Sequence, residues 1–384
     1  MGILAPLALI VLLIYVQACH NSTAVQRHNS TAVQPLGSVQ LGTAVRVEPL
    51  QDDELYRQTL RSEFEVLTPE DAMKMDAVRP SRELYDFHDA DAIVNFAEAS
   101  DMQVRGHTLV WHEALPDWLE EGNFSRDELR AILREHITTV VEHYRGRVVA
   151  WDVVNEAVND DGTLRDSIWL RGIGPEYIEM AFRWAHEADP QAELFYNDYG
   201  GEGLGRKSDA IYTLARDLKE RNVPIHGVGL QMHVSVVKHP DPQDVSENMA
   251  RLANLGLEVD ITEMDVQLQD GAGTMEEKLA TQAHVYGDMA GVCRRSSACK
   301  QFITWGFTDR YSWIRESTNE QDMPLLFDES YQPKPAYQAV KEALAMNTRH
   351  SVPSISGPCA DKRRGSWRSP TCSSPAALGA DRLE

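Results

Sequence analysis

Positive charge is scarce in this chain. Its 384 residues hold 37 Lys and Arg against 59 Asp and Glu, a formal net charge of −22. A duplex binder has to neutralise phosphates with cationic side chains, so this balance argues against nucleic acid and favours a neutral partner. Long apolar runs are scarcer still. The one candidate, Ile3 to Tyr15, is 13 residues long and interrupted by Pro6, whereas a bilayer-spanning helix needs roughly 20. It reads as the apolar region of a signal peptide over 1–18, with Ala18 set for cleavage before Cys19, although no Lys or Arg precedes it. Cysteine is limited to Cys19, Cys293, Cys299, Cys359 and Cys372. In an exported chain these allow two pairs with one left over. Cys293 and Cys299 are close enough to bridge a short turn, and Cys359 with Cys372 would staple the tail. Cys19 then remains, in a Val16-Gln17-Ala18-Cys19 context that resembles a bacterial lipoprotein cleavage box, with Gln17 an imperfect match. The expected location is outside the cell, either secreted or lipid-anchored at the surface.

Both ends of the chain lack the patterning of a core. His20–Gln26 (HNSTAVQ) recurs as His28–Gln34, and two polar copies cannot build a repeat fold, so 19–35 reads as a flexible linker. Asn21, Asn29 and Asn123 open N-x-S/T sequons, which matter only in a glycosylating host. From about Thr348 the chain turns rich in Ser, Pro, Gly and Arg, and 348–384 reads as a disordered tail. A single globular domain is expected over 36–347.

Within that domain, short β-rich runs alternate with longer amphipathic stretches. The candidate strands are Val39–Ala44, Glu65–Pro69, Gln103–Trp111, Val148–Glu156, Glu193–Asp198, Gly227–His233, Glu258–Val266 and Gln301–Thr308. Helical patterns between them include Ala90–Ser100, Arg126–His143, Pro175–Ala188, Arg206–Arg221, Pro242–Leu255 and Glu276–Val292. Eight strands alternating with helices predict an α/β fold of the (β/α)8 TIM-barrel type. An open doubly wound sheet is the alternative, but the glycine-rich phosphate turn it usually carries after its first strand is absent. The strands also begin apolar and finish in polar or aromatic groups, and a parallel barrel gathers all such ends on one face.

Two carboxylates stand out there. Glu156 closes Trp151-Asp152-Val153-Val154-Asn155-Glu156, and Glu263 sits in Asp260-Ile261-Thr262-Glu263-Met264-Asp265. An ionised, unpaired Glu at the end of an apolar strand costs several kcal/mol to bury. Each could simply be paired with Arg or Lys. Two of them, on the fourth and seventh strands of one barrel, are instead the minimal equipment for splitting a glycosidic bond: one protonates the leaving oxygen while the other attacks the anomeric carbon. His233 and Asp265 would keep Glu263 charged and aligned, and Asn155 would donate to a sugar 2-hydroxyl. This predicts a retaining mechanism, which needs carboxyls about 5–5.5 Å apart. Sugar rings stack on aromatics and bond to amide and charged groups. Trp111, Trp305, Trp313 and Tyr199 are the candidate platforms, with Glu70, Lys74, His107, Gln231 and His233 as hydroxyl partners. Trp118, Trp169 and Trp184 read as packing. Metal chemistry on His107, His112, His233 and Asp265 is disfavoured. No H-x-H or H-E-x-x-H spacing occurs, and strand alternation would turn His107 and His112 to opposite sides. No cofactor or metal is expected.

The segments Gly106-His107-Thr108-Leu109-Val110-Trp111-His112, Trp151 to Ala157, Tyr196-Asn197-Asp198-Tyr199, Gly229-Leu230-Gln231-Met232-His233, Asp260 to Asp265 and Thr304-Trp305-Gly306 together resemble glycoside hydrolase family 10, the endo-β-1,4-xylanases, over about residues 40 to 345. The resemblance implies hydrolysis of internal xylan bonds with retention, with Glu156 as acid/base and Glu263 as nucleophile. It implies that Glu70, Lys74, His107 and Trp111 contact the glycone sugars and that Trp305 and Trp313 close over the cleaved unit. It also implies a Cys293–Cys299 disulfide, a leaving-group loop at Val158-Asn159-Asp160-Asp161-Gly162, and xylan and xylo-oligosaccharides as partners; the chain is expected to be a monomer. Asp71 stands where the family usually has Asn, Met75 where Trp is common, and Gly200 where Asn is usual. Asp71 removes an amide donor and adds charge near Glu70, so weakened binding of short oligosaccharides is expected. Two rival readings remain: a barrel glycosidase acting on cellulose or mixed-linkage glucan, and a tethered xylan-binding protein without catalysis, against which both intact Glu positions count.

Overall fold

The computed structural model of the protein describes residues 38–318 and 322–345. The signal peptide, linker and tail expected from the sequence, with Cys19, Cys359 and Cys372, lie outside the described residues.

The strands are β1 (Gln40–Val45), β2 (Val66–Pro69), β3 (Gln103–Val110), β4 (Ala150–Asn155), β5 (Glu193–Asp198), β6 (Gly227–Leu230), β7 (His233–Ser235), β8 (Glu258–Gln267) and β9 (Gln301–Thr304). They pair in parallel in the order β1 to β6, then β6 with β8, β8 with β9 and β9 with β1. Eight strands thereby close into a (β/α)8 barrel as a single domain, and β7 pairs with the far part of β8. The helices form where amphipathic periodicity and caps coincide. Arg126–His143 starts at Ser125, whose hydroxyl and the Glu128 carboxylate satisfy each other's backbone donors, and Met275–Arg295 starts in the same way at Thr274 with Glu277. Asp241 caps Pro242–Ala253, with Pro at the first position. The inward faces, such as Ile132, Leu133, Val140 and Val141, are fully buried against the barrel. Each such side chain contributes about 1.5–3 kcal/mol. The structure joins Cys293, near the end of its helix, to Cys299 just before β9 in a disulfide.

Three sequence expectations need correction. Gly227–His233 is not one strand: β6 stops at Leu230, the chain passes through Met232 at φ 68°, and pairing resumes at β7. Expected strand ends at Trp111, Glu156 and Thr308 fall beyond β3, β4 and β9. Conversely, Glu263 is not at a strand end, because β8 continues to Gln267 through its pairing with β7. Register shifts interrupt pairing at His107/Val110, Asp152/Val154 and Ile261/Met264. Such irregularities re-aim side chains that strict alternation would misplace.

The lumen below the C-terminal face is charged. Arg105 is fully buried, donating through Nε and Nη2 to Asp152 Oδ1 at 3.0 and 2.6 Å and through Nη1 to Asp260 Oδ2 at 3.2 Å. Asp260 Oδ1 accepts the Lys300 and Gln301 amides at 2.9 and 3.0 Å. One guanidinium thus ties β3 to β4 and β8 across the barrel. Replacing it with Met removes the cation between two buried carboxylates, and Arg105→Met should lose about 3–5 kcal/mol. Urea unfolding checks this; a loss below 1 kcal/mol would contradict it.

Candidate active site

The C-terminal strand ends surround a cavity of about 670 Å³. Its walls include Glu70, Asp71, Lys74, His107, Trp111, Asn155, Glu156, Tyr199, Gln231, His233, Glu263, Trp305 and Trp313. The expected site residues therefore meet in one place, with Asp265 buried behind His233. Trp169 is buried and donates to the Trp111 carbonyl at 2.8 Å, supporting that wall, whereas Trp118 donates to the Arg79 carbonyl at 3.1 Å, apart from the cavity-lining residues.

Glu263 is held from both oxygens. Oε1 accepts from Asn197 Nδ2 at 2.6 Å, and Oε2 accepts from His233 Nε2 at 3.1 Å. His233 Nδ1 donates to Asp265 Oδ2 at 2.8 Å. Burial disfavours charge on this ring, yet Asp265 and Glu263 outweigh it and hold its pKa well above the ordinary imidazole value. Both ring nitrogens therefore carry protons and donate. Asn197 is fixed in turn by Thr262 Oγ1, which donates to its carbonyl at 2.7 Å. Beside them His107 Nδ1 donates to Asp152 Oδ2 at 3.0 Å and lies 3.8 Å from Glu263 Oε1. His107, Asp152 and Glu263 could converge on a cation, but these groups are already bonded to Arg105, Asn197 and one another.

Glu156 is set differently. It lies just past β4 with φ 56°, a left-handed conformation that costs a non-glycine residue on the order of 1–3 kcal/mol. Arg165 braces that turn, donating through Nε to the Glu156 carbonyl at 2.7 Å. Glu156 Oε1 accepts from Gln231 Nε2 at 3.0 Å and from Asn155 Nδ2 at 3.3 Å. The Asn155 carbonyl accepts from Asn197 at 2.9 Å and from Gln231 at 3.2 Å. A chain of amides thus connects the two carboxylates.

His112 departs from its expected orientation. β3 ends at Val110, alternation ceases, and His112 Nδ1 stands 3.9 Å from Glu156 Oε2. Burial, with Arg165 nearby, holds its pKa below the ordinary value. Sequence reasoning also missed Asn197 as the amide on Glu263, and Lys207. The Lys207 ammonium lies 3.5 Å from the Tyr199 ring centroid and 3.0 Å from Asp198 Oδ1, fixing that platform from below. Burial pushes the Asp198 carboxyl up to about 6, against the pull of Lys207.

Two sequence departures acquire a geometry. The Asp71 carboxylate is paired with Lys74 at 2.6 Å, and that ammonium lies 5.2 Å from the Trp111 ring centroid, so its charge is answered locally. Gly200 has φ 66°, a conformation glycine and asparagine both tolerate, so the loop needs no rearrangement to lose an Asn there.

Paired carboxylates in an aromatic-walled cavity on a (β/α)8 barrel define a glycoside hydrolase. Residues 29–343 match the family Glycosyl hydrolase family 10, and the chain belongs to that family. It is 46% identical over 295 residues to Endo-1,4-beta-xylanase B of Thermotoga neapolitana, covering 77% of this chain and 85% of that one. Among solved structures, native xylanase 10B from Thermotoga maritima superposes with a TM-score of 0.77 at 46% identity, over 80% of this chain and 95% of that one. Xylanase 10B from Thermotoga petrophila RKU-1, solved in complex with xylobiose, matches with a TM-score of 0.77 at 45% identity, over 80% and 94%.

Gly229 leaves the room that Asn197 uses. A Cβ there would stand 2.1 Å from Asn197 Oδ1 and 2.9 Å from Thr262 Cγ2. Gly229→Ala should push the amide off Glu263 and cost about 1–3 kcal/mol of stability. It should also lower kcat roughly tenfold or more, because a small displacement at the reacting groups is expensive. Thermal unfolding and steady-state kinetics check both; wild-type kcat in the variant would contradict the placement of Asn197.

Proposed function

We propose that this protein is an endo-β-1,4-xylanase that cleaves internal xylosidic bonds with retention of configuration, Glu263 acting as nucleophile and Glu156 as acid/base. The observation that carries the assignment is the asymmetry of the two sites. Glu263 receives hydrogen bonds on both oxygens, one of them from a cationic imidazole, an environment suited to a carboxylate that stays ionised until it bonds to the anomeric carbon. Glu156 is bound through Oε1 and leaves Oε2 toward His112, so one oxygen is available to exchange a proton with the leaving oxygen. In the first step Glu263 attacks the anomeric carbon as Glu156 protonates the departing sugar. In the second, Glu156 takes a proton from water, which attacks the anomeric carbon and restores the Glu263 carboxylate. The xylan assignment is supported by the relatives named as xylanases and by the relative solved with xylobiose.

Kinetics separate the two roles. Glu263→Gln should lower turnover roughly 10⁴-fold or more on xylan and on an aryl xylobioside alike, because the nucleophile is needed whatever the leaving group. Glu156→Gln should lower xylan turnover about 10²–10⁴-fold yet still give a burst of dinitrophenolate from a dinitrophenyl xylobioside, whose departure needs no proton. A Glu263→Gln enzyme that retains substantial turnover, or a wild type faster on carboxymethylcellulose than on xylan, would overturn the reading.

The reading extends to export, secreted or anchored through Cys19. Its support is the short apolar segment before Cys19 and the Cys293–Cys299 disulfide, a bond that persists in oxidising compartments. Fractionation of producing cells should place the enzyme in the medium or with membranes, with Cys19→Ser shifting any membrane-bound share to the soluble fraction. Retention in the cytosol would contradict export.

A further inference from the structure

Trp313 forms part of the cavity wall, where an aromatic face suits a sugar ring. Its other edge does something a wall does not require. The indole Nε1 donates to Asp265 Oδ2 at 2.8 Å, the same oxygen that accepts from His233 Nδ1 at 2.8 Å. Asp265 Oδ1 is buried and has no hydrogen-bond partner among the described residues. The indole and the imidazole are thus the two donors on a fully buried carboxylate, and both use one oxygen. The rings also meet edge-to-face, with centroids 5.4 Å apart.

We propose that Trp313 is a positioning residue for the nucleophile: its indole N–H, acting through Asp265 and His233, sets how Glu263 is held. The proposal rests on the reading of Glu263 as nucleophile. Donors to one carboxylate oxygen share its charge. With the indole present, Asp265 grips the His233 Nδ1 proton less tightly, and the imidazolium keeps more of its positive character toward Glu263 Oε2. Without it, Asp265 draws His233 toward itself, lengthening the 3.1 Å bond that fixes Glu263. No bond forms or breaks in this step; one hydrogen bond redistributes charge along Trp313, Asp265, His233 and Glu263. The carboxylates facing His233 are Asp265, Glu263 and the buried Glu202, the last of which stays bound to the Gly200 and Met232 amides. The sugar-stacking face and the nucleophile are therefore joined by a single side chain.

The decisive variant keeps the ring and removes the N–H. Replacing Trp313 with β-(3-benzothienyl)alanine, which puts sulfur where the indole has N–H, should leave KM for xylohexaose within about twofold while kcat falls about tenfold, given the strength of hydrogen bonds to charged groups. The His233 titration, followed by NMR of ¹⁵N-labelled imidazole, should move upward. Trp313→Phe should raise KM as well, because it also shortens the stacking face; thermal unfolding verifies that both proteins fold. Wild-type kcat with an unmoved His233 titration in the benzothienyl enzyme would overturn the proposal, as would a rise in KM alone. If the unaltered enzyme fails to hydrolyse xylan, the xylanase reading falls instead, and the His233 titration still decides whether the indole acts on the imidazole.

Discussion

A carboxylate buried inside a barrel needs donors in place of water, and most of the site follows from meeting that need; Asp265, with both its donors on one oxygen, is the exception. Glu263 is supplied by Asn197 and His233, Asp152 by Arg105 and His107, and Asp260 by Arg105 and two backbone amides. Each donor then needs its own fixed place. Thr262 orients Asn197, Gly229 leaves space beside it, and Asp265 orients His233. The motif residues are therefore a connected set, and removing one leaves another unsatisfied.

The same accounting separates the two glutamates. Glu263 lies within β8, nearly inaccessible, in a register irregularity that points it into the cavity. Glu156 lies outside β4 in a left-handed turn, with a more accessible side chain and one oxygen bound by amides. The strand interior surrounds Glu263 with donors on both oxygens, whereas the turn at the rim leaves Glu156 Oε2 without an amide. Two identical side chains acquire different duties because the backbone presents them differently.

Much of this was legible in the sequence. Alternation of short β-rich and longer amphipathic stretches yields the barrel, because periodicity and capping are local properties. Glu156 and Glu263 stand out because a carboxylate beside an apolar run is anomalous whatever the fold. The partners of other residues had no local signal, Asn197 among them although it stands in a polar strand end. Asn197 and Lys207 act through contacts with residues distant in the chain, Asn197 with Glu263 and Lys207 with the Asp198–Tyr199 turn and Asp160. Arg105, within β3, reads as a polar interruption of a strand until the barrel closes around Asp152 and Asp260. Period-2 alternation misplaces His112 because the strand ends at Val110. The split of the sixth strand depends on Met232 adopting φ 68°, which no composition rule anticipates for methionine.

These failures of local reasoning share a location. Left-handed residues at Glu156, Gly200, Met232 and Gly306, and register shifts at His107/Val110, Asp152/Val154 and Ile261/Met264, all lie on the segments that carry cavity residues. A regular barrel would send alternate side chains into lumen and helix layer and leave its rim to turns. Converging carboxylates, amides and aromatics on one sugar requires breaking that alternation, at a cost of about 1–3 kcal/mol for each of the non-glycine residues held left-handed, Glu156 and Met232. Below that rim, Arg105 binds Asp152 and Asp260 and ties β3 to β4 and β8. Trp313 lies where the cavity and the buried charges meet: its ring lines the cavity, and its N–H donates to Asp265, which in turn binds the His233 that holds Glu263.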